Sequence, residues 1–571
     1  MMRLGVSIST LTLLVTSAFA QHPKIARGLE TLDQNSVVDV IVQYTHVPTE
    51  RHYHNVLAKG GALKNKLQVI KSGHYAIPVR ALRDLAEDPD VVHISPDREL
   101  RAAIDVAENA VNANIAFSYG WNGAGIGIAV IDSGISNDPD LKNDKGGLRV
   151  VYSRDFVGGG TNDDYGHGQH VAGIIAGNGA SSSGSSSFLT FRGLAPNANL
   201  INLRVLDENG YGTDSAVIAA IQEAIRLKNQ YNIRVINLSL GRPIFESYTL
   251  DPLCQAVEQA WQAGIVVVVA AGNQGRDNSL GTNGYATIQA PGNDPYVITV
   301  GAMKTLGTPS RADDLIASYS SKGPTLIDHI VKPDLVAPGN RVVSVLASTA
   351  HLQKQYPTNA VPLQCYQNTG SRALSNQYYT MSGTSMAAPM VSGAAALLLQ
   401  QNPSLTPDQV KARLMKTATK NFPSLSIATD PTTGIIYTSQ YDIFTIGAGY
   451  MDVWAALNNA DSATLSAISP TAAYQASTGQ VYLVNSQSAV WGSSAVWGSS
   501  AVWGSSAVWG SSVWLSGSSA VWGSSAVWGS SAVWGSDTTQ AFSAVWGSSA
   551  VWGSATQTSA EAIGIAINGE N

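Results

Sequence analysis

A hydroxyl, an imidazole and a carboxylate stand far apart along this 571-residue chain, each in a setting that suits reaction. Ser385 lies in Ser382-Gly383-Thr384-Ser385-Met386-Ala387-Ala388-Pro389. An extended run over 376–381 leads into it, and an apolar, small-residue helix over 390–399 leads out. That order predicts Ser385 near a helix N-terminus, where unpaired N–H groups and the positive dipole end favour developing negative charge. A serine nucleophile also needs a base to take its proton. His167 opens a predicted helix, and Gly166 and Gly168 on either side leave its ring reachable. Asp132 ends the apolar run 125–132, where a half-buried carboxylate can orient a histidine. Asn273 ends a second strand in Ala270-Ala271-Gly272-Asn273 and can offer an amide N–H to an oxyanion. Nucleophile, base, orienting acid and oxyanion donor are the parts that acyl transfer by serine requires. Each residue alone has a plainer role: serine caps helices, aspartate sits in turns and asparagine closes strands. His170 reads better as a helix residue beneath the site than as a metal ligand. The His-Glu-x-x-His pattern of helical zinc peptidases does not occur in the chain.

The elements that must position these groups alternate from residue 125 onward. Apolar runs at 125–132, 198–206, 234–240 and 264–270 read as strands, with helical spacing between them. Thr213-Asp214 caps a helix carrying Ile218, Ile221 and Ile225. The expected fold class is α/β with a mostly parallel sheet flanked by helices, a sheet whose ligands bind at the carboxyl ends of strands. Residues 36–100 read as a separate βαββαβ unit, a small α+β domain. Six of the ten histidines (His22, His46, His52, His54, His74 and His93) lie in the first hundred residues.

Composition bounds the rest. Charged residues make up 13% and the net charge is −6, so no basic field exists to hold nucleic acid. Met1-Met2-Arg3, an apolar stretch to Phe19 and the small-x-small end Ala18-Phe19-Ala20 read as a secretory signal cut after Ala20. Export would allow Cys254 and Cys365 to pair, but sequence does not supply the geometry. Residues 488–554 repeat Ser-Ala-Val-Trp-Gly-Ser and hold ten of the 13 tryptophans. A six-residue period puts every Trp on one face of an extended strand. The repeats are expected to form a repetitive, β-rich tail that self-associates or holds the protein to a cell surface.

Four segments together resemble the subtilisin-like serine peptidases: Val130-Ile131-Asp132-Ser133-Gly134, His167-Gly168-Gln169-His170-Val171-Ala172-Gly173, Ala271-Gly272-Asn273 and Gly383-Thr384-Ser385-Met386-Ala387-Ala388-Pro389. The resemblance implies a secreted serine endopeptidase with catalytic Asp132, His167 and Ser385 and oxyanion donor Asn273. It implies substrate-binding positions at Ser239, Leu240 and Gly241 and at Gly210 and Gly212, with protein or peptide substrates. Its alternative is a catalytically inactive relative that only binds. The resemblance also implies domains: a signal peptide over 1–20, an inhibitory propeptide over 21–105 that becomes a partner of the mature enzyme, and a catalytic domain over 106–458. A linker over 459–487 and the repeat tail over 488–571 complete the chain, and a protein cut after residue 460 is expected to keep activity. Gln169 departs from the family's usual Thr. No cofactor is required for chemistry. Asp138-Pro139-Asp140-Leu141 resembles a calcium-binding segment, but 181–187 is Ser- and Gly-rich without carboxylates, which leaves structural calcium open.

Overall fold

The computed structural model describes residues 22–26, 29, 32–67, 71–96, 103–143, 145–279, 281–423, 425–430, 434–475, 480–484, 513–514 and 564–570. The expected signal peptide over 1–20, nearly all of the repeats and the junction at 97–102 lie outside the described residues. The chain divides into two compact units, Met1–Leu100 and Arg101–Asn571.

The first unit has the expected order: β1 (Val37–Tyr44), α1 (Glu50–Ala58), β2 (Ala62–Leu67), β3 (Ser72–Pro78), α2 (Leu82–Ala86) and β4 (Val91–Pro96). Its four strands form one antiparallel sheet in the order β2-β3-β1-β4. Val40, Val42, Tyr75, Ile77 and Ile94 close a core of their own with Val56 and Leu85. Helix α1 stops at Gly60, whose φ of +79° a residue with a side chain rarely adopts.

The second unit starts with α3 (Ala103–Ala110) and α4 (Ala113–Ser118), and Ala107 and Val111 belong to its core. The division therefore falls earlier than residue 105, because α3 packs into the second unit. Next come β5 (Gly127–Asp132), β6 (Val150–Asp155), α5 (His167–Ala176), β7 (Asn199–Arg204), α6 (Asp214–Tyr231), β8 (Ile233–Leu238), α7 (Pro252–Gln262), β9 (Val266–Ala270) and β10 (Ile298–Lys304). The main sheet runs β11-β10-β9-β8-β5-β7-β6, where β11 is Leu315–Ile316 and β12 (Leu335–Pro338) also pairs with β10. Every pairing is parallel except β10 with β11. Helices α6 and α7 pack on one another and on the strands, as do α5 and α9 (Thr384–Gln401). Cover from both sides explains why β5 and β9 are unbroken apolar runs buried at every position.

Helix α9 is the axis of this unit, buried from Met386 to Leu399. Its small residues permit that: a Cβ on Gly393 would lie 2.6 Å from the Leu194 side chain. Strand β15 (Leu374–Met381) delivers the chain to its start, after β13 (Val342–Val345), α8 (His351–Gln355) and β14 (Ala360–Pro362). Helix α10 (Pro407–Thr417) opens with a capping box between Thr406 and Gln409 and with Pro407 in its first turn.

The packing does not end at residue 458, as the sequence suggested. After β16 (Leu425–Thr429), β17 (Ile436–Gln440) and α11 (Val453–Leu457), β18 (Thr471–Gln475) returns to the body. Ala467 and Ala472 are core residues, and Ser469 Oγ donates to Asp334 Oδ1 at 2.5 Å. Asp334 lies between the buried Lys332 and Lys411 ammonium groups, at 2.7 and 3.2 Å. Low charge and lost periodicity hid this segment from the sequence reading, because its contribution is one hydroxyl and a few alanines. Strand β18 pairs with β19 (Gln480–Val484), and from the repeats Val513–Trp514 adds a short antiparallel strand, β20. Both cysteines are free; Cys254 is buried and its thiol donates to Asn293 Oδ1.

Candidate active site

The carboxyl ends of parallel β5, β8 and β9 bring the chemistry-bearing residues to one edge of the sheet. Asp132 is the last residue of β5, and His167 is the first residue of α5. Asn273 comes just after β9, and Ser385 is the second residue of α9. His167 Nδ1 lies 2.8 Å from Asp132 Oδ1, so the imidazole donates there and its Nε2 is left for another group. Asp132 is buried and its Oδ1 also accepts the Ser133 N–H at 2.8 Å. Burial pulls the His167 pKa down, but the charge and hydrogen bond of Asp132 outweigh it. With Asp163 adding to them, the net pKa is raised above 6.5.

Asp163 is a site residue that the sequence reading missed. It is buried and accepts from Ser133 Oγ, Gly166 N–H and Gln169 N–H at 2.7–2.8 Å. Those bonds tie the first turn of α5 to the loop after β5, so they set where His167 stands relative to Asp132. Burial pushes its carboxyl up to about 6. The only signal in sequence was a carboxylate just before a helix start, an ordinary capping pattern. Gln169, the departure from family pattern, accepts the Ser136 N–H at 2.8 Å through its side chain and holds the same loop. His170 is buried beneath the site with Nε2 donating to the Tyr379 carbonyl, and burial drives its pKa down to about 3.

Ser385 is held by its neighbour in space, Ser239. Pro389 has no N–H, so the Ser385 carbonyl four residues earlier has no helical donor. Ser239 Oγ supplies the missing bond at 2.8 Å. In return Ser385 Oγ donates to the Ser239 carbonyl at 3.2 Å. Asn237 and Ser392 extend this buried chain, with Ser392 Oγ donating to Asn237 Oδ1 and Asn237 Nδ2 to Ser239 Oγ. The Ser385 N–H lies in the first turn of α9, where no intrahelical acceptor exists. Asn273 is oriented by Thr384: its Oδ1 accepts the Thr384 N–H at 2.9 Å and hydroxyl at 3.0 Å. Its Nδ2 is therefore left for an acceptor other than Thr384.

His167, Asn273 and Ser385 line a cavity of about 400 Å³. Ser239, Leu240 and Gly241 line it, and so do Gly210 and Gly212. Gly210 has φ +82°, and a Cβ there would lie 2.7 Å from the Tyr165 ring, so the loop closes only with glycine. Leu206, Val217, Leu240 and Leu253 make much of the wall apolar, while Arg242, paired with Asp214 and Asp251, is a charged neighbour. Ser382 and Ala566 also line the cavity, and the sequence reading named neither of them as binding positions.

The segment that resembles a calcium site does not fit one. Asp140 is fully buried, its Oδ1 accepts the Ser181 N–H at 2.7 Å and its Oδ2 accepts the Tyr378 hydroxyl at 2.5 Å. Asp138 accepts the Asp140 N–H and caps the turn that begins there. Protein donors thus fill the places where a cation would need free oxygens. Among the described residues, the only cluster of three or more ligand-type side chains is His46, His52 and Asp90 in the first unit. There His52 Nδ1 accepts the Thr49 N–H at 3.0 Å and its other nitrogen faces Asp90, an arrangement that suits a donated proton better than a metal.

With this geometry in place, comparison with known proteins gives the class. Residues 123–433 match the model of the Subtilase family, and the chain belongs to that family. It is a subtilisin-like serine protease, a hydrolase acting on protein or peptide substrates. It is 40% identical over 375 residues to serine protease AprX of Bacillus subtilis (strain 168), covering 63% of this chain and 77% of that one. It is 32% identical over 416 residues to subtilisin E of the same organism, covering 72% and 91%. A solved cold adapted subtilisin-like serine proteinase is 30% identical over 52% of this chain and 84% of its own, at a TM-score of 0.37.

Proposed function

We propose a secreted serine endopeptidase, made as an autoprocessed precursor, in which Asp132, His167 and Ser385 form the catalytic triad. Ser385 Oγ attacks the peptide carbonyl while His167 Nε2 takes its proton and later gives it to the leaving amine. Asp132 holds the imidazole in the tautomer that leaves Nε2 free and stabilises the imidazolium. Asn273 Nδ2 and the Ser385 N–H receive the oxyanion. The observation that carries this reading is the 2.8 Å contact between His167 Nδ1 and buried Asp132, with His167, Asn273 and Ser385 lining one cavity. Every step uses groups of the chain itself, so no cofactor enters the chemistry.

The substrate lies extended between Ser239-Leu240-Gly241 and Gly210–Gly212, pairing through its main chain, which tolerates many sequences. The first unit acts as the propeptide, cut between Leu100 and Asn112. The repeats serve self-association or attachment to a surface. Among the described residues no helix is long and apolar enough to cross a membrane. The relative from Thermus sp. (strain Rt41A), 34% identical over 359 residues, is an extracellular serine proteinase. Ser385→Ala should abolish digestion of a denatured protein mixture, read by mass spectrometry, and leave the precursor uncut. Turnover at the wild-type rate by that variant would sink the assignment.

A further inference from the structure

The catalytic cavity contains a piece of the chain itself. Residues 564–568 form one helical turn beyond the repeats. Ile565 and Ile567 are buried in the core of the second unit, and Ala566 between them lines the cavity shared by His167, Asn273 and Ser385. The contact is a specific one. Ser382, three residues before the nucleophile, donates its N–H to the Ala566 carbonyl at 2.9 Å. Asn359 Nδ2 donates to the Ile567 carbonyl.

Glu570 fastens the segment. It is 2% exposed, in an interior where an unpaired carboxylate is strongly disfavoured. Its N–H donates to Asn340 Oδ1 at 2.8 Å and its carbonyl accepts from Asn340 Nδ2 at 2.7 Å. Its Oε2 accepts the Ser318 N–H at 2.7 Å, and Arg276 and Lys304 stand 3.6 and 3.8 Å from Oε1. Gly569 has φ +61°, and a Cβ there would lie 2.4 Å from Ser382 Oγ. A buried glutamate held at both its backbone and its carboxylate, beside a position that only glycine fits, makes a built seat.

We infer that residues 564–570 are a built-in occupant of the catalytic cleft, which competes with substrate for the backbone of Ser382 and so selects against chains that extend beyond the scissile bond. This rests on the peptidase reading above. Strand β15 ends at Met381, and Ser382 follows it and lines the cavity, while the next N–H, that of Gly383, is held by the Gly339 carbonyl at 2.8 Å. A peptide running past Ser385 has to displace Ala566 from the Ser382 N–H. A substrate whose leaving group is a small amine does not.

The test compares two substrates on the full chain: a short peptide nitroanilide and an internally quenched decapeptide cut at its centre. Gly569→Ala and Glu570→Ala should each raise kcat/KM for the decapeptide about tenfold, a 1.4 kcal/mol change, and leave the nitroanilide within about twofold. An unchanged ratio in both variants overturns the inference, and so does an equal fall on both substrates, which marks the segment as structural support only. Wild-type protein gives a second measurement that does not depend on the variants folding. A decapeptide with a reduced central bond should speed amide hydrogen exchange at 565–570, and unchanged exchange in the saturated complex counts against the inference. Failure of the wild type to cleave the nitroanilide would instead defeat the peptidase reading.

Discussion

Ser239 and Ser385 are bonded to each other twice, hydroxyl to carbonyl in both directions, at 2.8 and 3.2 Å. Ser385 Oγ thus donates to a backbone carbonyl, and in the proposed mechanism His167 receives its proton only when the hydroxyl turns, as catalytic bonds often tighten on substrate binding. The first bond exists because Pro389 removes a helix donor. Ser239→Ala should therefore leave the Ser385 carbonyl unpaired in a buried place and cost about 1–3 kcal/mol of stability. Adding Pro389→Ala supplies an N–H at the helical position, so the double variant should regain part of that loss. Denaturant midpoints of the wild type, both single variants and the double variant decide it. A double variant less stable than the sum of the singles would show that Ser239 does not substitute for the missing helix bond.

Asn273 lines the cavity and is held through its Oδ1 by two bonds from Thr384, which leave Nδ2 for another acceptor. Asn273→Ala should lower kcat about 10²–10³-fold with little change in KM, the range known for such a donor in subtilisin. A change confined to KM would assign Asn273 to ground-state binding.

The imidazole must be neutral to accept the serine proton. Asp132 and Asp163 raise the His167 pKa above 6.5 against the opposing pull of burial. The acid limb of kcat/KM should therefore have its midpoint above pH 6.5. Asp132→Asn removes the charge and reverses the hydrogen bond, so the limb should move to lower pH while kcat falls about 10⁴-fold. The stability sign comes from a raised folded-state pKa. The charged His167–Asp132 pair contributes fully below about pH 6.5 and loses that contribution as pH rises through the folded value. An acid limb that does not move in Asp132→Asn would separate the two residues functionally.

Asp140 has both oxygens occupied by protein donors, one of them the Tyr378 hydroxyl. A chelator should leave the melting temperature and activity unchanged as far as this segment is concerned. Tyr378→Phe should destabilise by about 1–3 kcal/mol, because a buried carboxylate oxygen loses its partner. A calcium-dependent rise in melting temperature that disappears in Tyr378→Phe or Asp140→Asn would place a cation at this segment and contradict the reading of Asp140.

Ser469 donates into the buried cluster of Asp334, Lys332 and Lys411, and burial pulls the Lys411 pKa down to about 7. A chain cut after residue 460 should lose that hydroxyl, β18 and the Glu570 seat together. It should melt earlier than a chain cut after residue 485, by several degrees in a thermal scan. Equal melting temperatures would mean that the segment adds nothing to the catalytic unit.

The α/β alternation, the four motifs and the family were legible from residue order alone, because buried parallel strands are unbroken apolar runs and each motif is contiguous. Asp132, His167, Asn273 and Ser385 could each be singled out as candidates, since each lies at the end of a strand or the start of a helix in a short recognisable segment. Tertiary structure decided the relationships between residues far apart in the chain. Asp163 and Gln169 look like ordinary helix-start residues until the loop after β5 is folded against them. Asp140 looks like a calcium ligand until Tyr378, 238 residues later, meets it. The Ser239–Ser385 exchange and the seat of Glu570 on Asn340 span 146 and 230 residues. Hydrophobic periodicity reports which face of an element is buried, and it carries no information about which distant polar atom will satisfy a buried donor or acceptor. That pairing is set only when the sheet and α9 bring the loops together.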